Sequence, residues 1–163
     1  MPEVLVGIGS NADPVRGLRL GVAELEQRFG ALRRSSVYRS ESVGAPGPDY
    51  LNMVVAFVAA EPAESIRAVR DALRAIEARA GRRRDDPKTC ALDLDLLCYG
   101  ACVDAVERLP RPGMFSHAFM LAPLAELAPE FTDPLTGRSS REAWQAAAPR
   151  AAIENVGPLD SLR

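Results

Sequence analysis

A chain of 163 residues, 47% hydrophobic and 26% charged, has the size and balance of one ordinary globular domain spanning residues 1–163, with a real core. A net charge of −2 excludes a global field that would draw the protein to nucleic acid or to an anionic membrane surface. No apolar run approaches the ~20 residues of a membrane-spanning helix.

The chain opens with Met1-Pro2-Glu3-Val4, which has neither a basic stretch nor a cleavage pattern, so it is read as the start of a strand rather than a secretory signal. Residues 3–9 form a short apolar run (Val4, Leu5, Val6, Ile8) that predicts a buried strand, ending in the turn cluster Gly9-Ser10-Asn11. Asp13-Pro14 then reads as a helix cap followed by proline at the first helical position. Val15, Leu18, Val22, Leu25 and Phe29 recur at steps of three and four, the stripe of one amphipathic helix, which Gly30 ends. Residues 33–39 are a second strand candidate. Residues 42–49 hold Gly44, Pro46, Gly47 and Pro48 and must be a loop. Residues 50–60 predict a strong strand interrupted by one polar residue, Asn52. Pro62 is read as opening the second helix, whose stripe is Ile66, Val69, Leu73 and Ile76 and whose end is Gly81.

Next come the basic residues Arg82, Arg83, Arg84 and Lys88, and then Leu92-Asp93-Leu94-Asp95-Leu96-Leu97, which alternates through Leu96 and runs apolar to Tyr99. Period-two alternation predicts a strand with leucines on one face and both aspartates on the other. Acids two residues apart on a strand point the same way, with Cα atoms roughly 6.5–7 Å apart. Such a pair repels unless a cation lies between the carboxylates, and Mg²⁺ fits because it takes oxygen ligands and leaves room for phosphate. Taken alone, the pair could equally be a charged face on an edge strand. A basic loop directly upstream favours phosphoryl transfer, whose recurring parts are cations for phosphate oxygens and carboxylates for metal. Residues 109–119 form a loop rich in proline and glycine, 119–127 a short helix limited by Pro129, and 141–148 a terminal helix carrying Trp144. The predicted order is β-α-β-β-α-β, an α+β, ferredoxin-like arrangement in which both helices cover one face of an antiparallel sheet, with a C-terminal helical extension. Three cysteines, an odd number without paired C-x-x-C spacing, argue against a disulfide framework or zinc site and for a cytoplasmic protein.

Several segments in this order resemble the 6-hydroxymethyl-7,8-dihydropterin pyrophosphokinase family of folate biosynthesis: Gly9-Ser10-Asn11, Tyr38-Arg39-Ser40, Asp49-Tyr50-Leu51-Asn52, Ile76-Glu77 before Gly81-Arg82, Leu92-Asp93-Leu94-Asp95, and Phe119-Met120-Leu121-Ala122-Pro123-Leu124 before Ala128-Pro129. The resemblance runs from about Val4 to Pro129. It implies a ferredoxin-like core and transfer of pyrophosphate from ATP to the pterin hydroxymethyl group, with release of AMP. It also implies that Asp93 and Asp95 hold two Mg²⁺ ions bridging the ATP phosphates. Ser40, Val43, Tyr50, Asn52 and Phe119 would meet the pterin, the amide of Asn52 offering a donor and an acceptor and the aromatic rings a stacking surface. Glu77 would lie on the nucleotide side, where the bland alternative is a solvated helix face. Arg82 and Arg84 match the basic residues of the catalytic loop. The expected partners are a pterin and ATP, with no nucleic acid and no membrane, and a monomer is expected.

Three positions depart from the family pattern. The loop before the acidic strand lacks the family's tryptophan, and Cys90 stands in the place of its arginine, leaving Lys88 to supply charge without a bidentate fork. Pro110-Arg111-Pro112 replaces a Pro-His-Pro-type segment, so Arg111 is expected at the triphosphate. His117, the chain's single histidine, stands where an arginine is expected and is read as a nucleotide contact. These changes leave a second reading: a divergent paralogue that binds a pterin or nucleotide with altered substrate or little transfer. An RNA-reading module of the same fold is disfavoured, because acids occupy the sheet face where such modules place aromatic and basic groups.

Overall fold

The computed structural model describes residues 1–42, 44, 46–81, 86 and 88–163. In chain order the elements are β1 (Glu3–Ser10), α1 (Pro14–Phe29), β2 (Arg33–Arg34), β3 (Val37–Ser40), β4 (Tyr50–Val58), α2 (Ile66–Arg79), β5 (Asp93–Tyr99), α3 (Ala118–Leu127), α4 (Ser140–Ala147) and β6 (Ile153–Gly157). The strands lie in the order β5-β1-β4-β3-β6, with β2 also paired to β4, and each pairing is antiparallel. Without β6, this is the ferredoxin-like order expected from the period changes in the sequence.

Alternation sorts the strand residues onto two faces. Val4, Val6, Ile8, Met53, Val55 and Phe57 pack under α1 and α2 with Leu18, Val22, Leu25, Val69, Leu73 and Ile76. Leu5, Val54 and Ala56 face the other way and pack with Met120, Leu121 and Leu124 of α3 and Ala143 of α4. The expected pair of helices therefore shares one face, while the C-terminal helices cover part of the second. The uncovered remainder of that second face holds the site.

Four local differences from the sequence reading have physical causes. The strand expected over 33–39 is broken at Ser35, whose N–H donates to the Val54 carbonyl and whose hydroxyl accepts from the Val54 N–H at 2.9 Å. The pairing with β4 shifts by one residue across that break, which is a bulge. The second helix begins at Ile66 rather than Pro62, because the Ser65 hydroxyl caps it by accepting the Ala68 N–H. Gly81 follows with φ +82, the left-handed conformation expected beyond a helix C-cap. In β5, Leu96 and Cys98 pair with β1 but Leu97 does not, so Leu97 is the extra residue that ends the alternation. Strand β6 was not expected; it pairs with β3.

Candidate active site

The hydrogen-bonding register of β1 builds the site. Gly9 lies opposite Asn52 on one side and Asp93 on the other, and Gly7 lies opposite Val54 and Asp95. Asn52, in turn, lies opposite Tyr38. Period-two geometry thus puts Tyr38, Asn52, Gly9 and Asp93 in one row across the second face, with Asp95 in the next row. The middle of both rows is glycine, so the sheet has a bare floor there. A Cβ at Gly9 would stand 3.1 Å from Asn52 Oδ1 and 3.6 Å from Tyr50 Cδ1.

A cavity of about 170 Å³ sits over this floor. Ser40, Tyr50, Asn52 and Phe119 wall one part of it, and Asp93 and Asp95 the other. Six of the residues singled out in the sequence are therefore brought together. Glu41 and Met120, which the sequence reading passed over, also line it. Asn52 is 6% exposed, and its Nδ2 donates to Ser40 Oγ at 2.8 Å, which directs Oδ1 over Gly9.

The acidic end is electrostatically loaded. Burial first, then the neighbouring Asp93 carboxylate, pushes the Asp95 carboxyl up to about 7, and the Arg111 guanidinium pulls the other way. Arg111 places NH2 3.4 Å from Asp95 Oδ1, while its Nε is buried without a hydrogen-bond partner among the described residues. Its backbone N–H donates to the Leu97 carbonyl at 2.8 Å, fixing the loop against β5.

Glu77 lies behind the pair rather than in the cavity. It is 7% exposed, which overturns the solvated-face alternative, and its Oε1 accepts the Leu94 N–H at 2.9 Å. Lys88 is exposed, with its backbone N–H donating to Asp86 Oδ1. The His117 ring lies against Phe119, with centroids 5.5 Å apart. Val43, Arg82 and Arg84 lie outside the described residues.

Asn11 is the residue the sequence reading most undervalued. It is 4% exposed and ties three segments together. Its Nδ2 donates to the carbonyls of Pro48 at 3.1 Å and Lys88 at 2.8 Å, and its Oδ1 accepts the Cys90 N–H at 2.6 Å. Cys90, in the place of a family arginine, is held by its backbone: its carbonyl also accepts the N–H groups of Asn11 and Ala12. A Cβ at Gly47 would stand 2.4 Å from the Lys88 carbonyl oxygen, so the two loops touch only because residue 47 has no side chain. The signal for Asn11 was its place after Gly9-Ser10, at the end of a buried strand.

The donor set at the acidic end can be tested for a metal. Among the described residues no cluster of three or more His, Cys, Asp or Glu could hold one. Two carboxylates facing the same way are the sparse set that suits Mg²⁺, which keeps waters and takes its remaining ligands from substrate phosphates. Burial does most to raise the Asp95 carboxyl, and the added repulsion from Asp93 is the electrostatic counterpart of that fit.

A ferredoxin-like sheet thus carries a small cavity, walled by Tyr50 and Phe119 and joined to the Asp93–Asp95 carboxylate pair. The model of the family 7,8-dihydro-6-hydroxymethylpterin-pyrophosphokinase (HPPK) matches residues 5–129. The chain belongs to this family. It is 40% identical over 144 residues to the 2-amino-4-hydroxy-6-hydroxymethyldihydropteridine pyrophosphokinase of Synechocystis sp., covering 83% of this chain and 71% of that one. To the enzyme of the same name from Pseudomonas aeruginosa it is 36% identical over 166 residues, covering 94% and 96%. Among solved structures, it superposes on Plasmodium falciparum HPPK-DHPS, as a triple mutant with SDX-DHP (TM-score 0.69) and as wild type with pteroate (TM-score 0.65). Both are 10% identical and concern the fold alone; 91% of this chain is covered, but it spans only 44% and 43% of those longer chains.

Proposed function

We propose that the protein transfers the pyrophosphoryl group of ATP to the hydroxymethyl group of 6-hydroxymethyl-7,8-dihydropterin. The hydroxymethyl oxygen gives up its proton to solvent and forms a bond to the β-phosphorus, the bond from that phosphorus to the oxygen bridging to the α-phosphate breaks, and AMP leaves. The observation that carries this reading is the continuity of one cavity from Tyr50, Asn52 and Phe119 to Asp93 and Asp95. A flat ring held at the first end directs its substituent toward the second. Asn52 Oδ1, aimed over Gly9, meets an N–H on the heterocycle edge, and Tyr50 and Phe119 supply apolar ring surface. Asp93 and Asp95 would hold two Mg²⁺ ions, which supply charge neutralisation on the phosphates. Arg111, whose Nε has no hydrogen-bond partner among the described residues, and Lys88 are the phosphate contacts of this reading, together with Arg82 and Arg84. Glu77 holds the strand carrying the acids rather than touching the nucleotide. The working form is a single-domain cytoplasmic monomer whose three cysteines are free thiols.

The test is AMP release from a mixture of protein, ATP, Mg²⁺ and 6-hydroxymethyl-7,8-dihydropterin, followed by ³¹P NMR, with Asp95→Ala as control. AMP formed in step with a pyrophosphorylated pterin, and absent in the control, supports the reading. Pterin binding by a folded protein that makes no AMP would favour the second reading, a binding paralogue, for which the Cys90 replacement is the motivating observation.

A further inference from the structure

We propose that His117 is a positioning residue for Phe119, holding that ring against the cavity rather than contacting the nucleotide; the inference rests on the reading that a pterin ring occupies the cavity. His117 is the N-cap of α3, and its carbonyl accepts the N–H groups of Met120 at 3.0 Å and Leu121 at 2.9 Å. Its own N–H donates to the Gly113 carbonyl at 2.9 Å, so the backbone beneath the imidazole is fixed from both sides. Gly113 has φ +90, and a Cβ there would stand 2.7 Å from His117 Cδ2 and 3.1 Å from Nε2. The imidazole therefore lies close to the bare backbone of residue 113 and also against Phe119, with ring centroids 5.5 Å apart and planes 27° apart. Phe119 lines the cavity and His117 does not. The imidazole thus touches Phe119 from outside the cavity lining, and a heterocycle stacked on the other face of that ring would complete a layered arrangement of imidazole, phenyl and pterin.

Phe119 is half-buried, so without this backing its ring gains rotamer freedom that ligand binding must remove. The worth of an offset aromatic pair, about three- to tenfold as an equilibrium constant, bounds how much that freedom can weaken binding. His117 is exposed, so its replacement leaves the fold intact.

The experiment measures binding of 6-hydroxymethyl-7,8-dihydropterin by calorimetry, and KM for pterin and for ATP, on the full chain as wild type, His117→Ala and His117→Phe. His117→Ala is expected to raise the pterin Kd and KM about three- to tenfold, with a smaller change in kcat and no change in KM for ATP. His117→Phe, which keeps a ring, is expected to restore most of the loss. A rise confined to KM for ATP would overturn the inference in favour of a nucleotide contact. No change in either constant, or a loss that the phenylalanine variant does not recover, would overturn it as well. If the wild type binds no pterin, the functional reading fails instead. The positioning claim is then decided in the ligand-free protein by the Phe119 ring resonances, which move in His117→Ala if the rings are stacked and stay in place if they are not.

Discussion

Glu77 Oε1 accepts the backbone N–H of Leu94, the residue that separates Asp93 from Asp95. β5 pairs with β1 along one edge only, and this side chain from α2 meets a backbone donor on its other edge at the acidic pair. Glu77→Ala leaves a buried N–H unmet and is expected to cost about 1–3 kcal/mol of stability. Glu77→Gln keeps an acceptor and should retain most of it. Urea unfolding of the two variants, with KM for MgATP, checks both halves: the alanine variant should be the weaker on each.

The Asp95 carboxyl, pushed up to about 7 by burial and by Asp93, makes stability depend on pH. Between its ordinary value near 4 and 7, the folded protein keeps a proton that the unfolded chain has released. This contribution is complete below about pH 4 and is lost as pH rises through 7. Asp95→Asn removes the charge, so the variant should be more stable than wild type at pH 8 by on the order of 1–3 kcal/mol and nearly equal at pH 4. Denaturant unfolding in EDTA at the two pH values tests this. Equal stability at pH 8 would contradict the expected burial effect.

Arg111 is the cation that restrains that rise. Replacing it with alanine should lift the Asp95 carboxyl further and move the acidic limb of the kcat/KM profile for ATP to higher pH. Lysine at this position should restore part of the shift but less of the affinity, since a point charge replaces a planar fork. A pH–rate series on Arg111→Ala and Arg111→Lys measures both.

Asn11→Ala removes three hydrogen bonds at a buried position and leaves the Cys90 N–H without its acceptor. The expected cost is about 2–4 kcal/mol, read as a lowered Tm. Asn11→Asp should be no better, because it turns a carboxylate toward the carbonyls of Pro48 and Lys88. Gly47→Ala should reproduce part of this fall in Tm, since its Cβ would displace the Lys88 carbonyl and part the two loops.

The period changes in the sequence were enough to place β1, α1, β4, α2 and β5, because each buries one face and spaces its apolar residues accordingly. Asp93 and Asp95 were legible for the same reason: a strict alternation says which residues share a side. Strand β6 was not, since Ile153–Gly157 offers only Ile153 and Val156 as apolar content and owes its form to pairing with the distant β3. The burial of Glu77 was not legible, because a charged residue on a helix is solvated by default and its partner is a backbone N–H that no composition reveals. Asn11 looked like an ordinary turn residue for a similar reason: two of its partners are carbonyls roughly 37 and 77 positions away. His117 was placed by analogy of position, while the direction of its ring depends on the bare backbone of Gly113.

The bare floor at Gly9 also limits how the protein could escape a competitive inhibitor seated in this cavity. The simplest resistance change would be to fill the floor with a methyl group and exclude the drug. At Gly9 that methyl would press to 3.1 Å on Asn52 Oδ1, the atom that the proposed function offers to the pterin edge. Filling the floor at Gly9 against an inhibitor that reaches down to the β1 backbone would therefore also displace Asn52, so on the proposed function resistance gained at that position would carry its own loss of turnover.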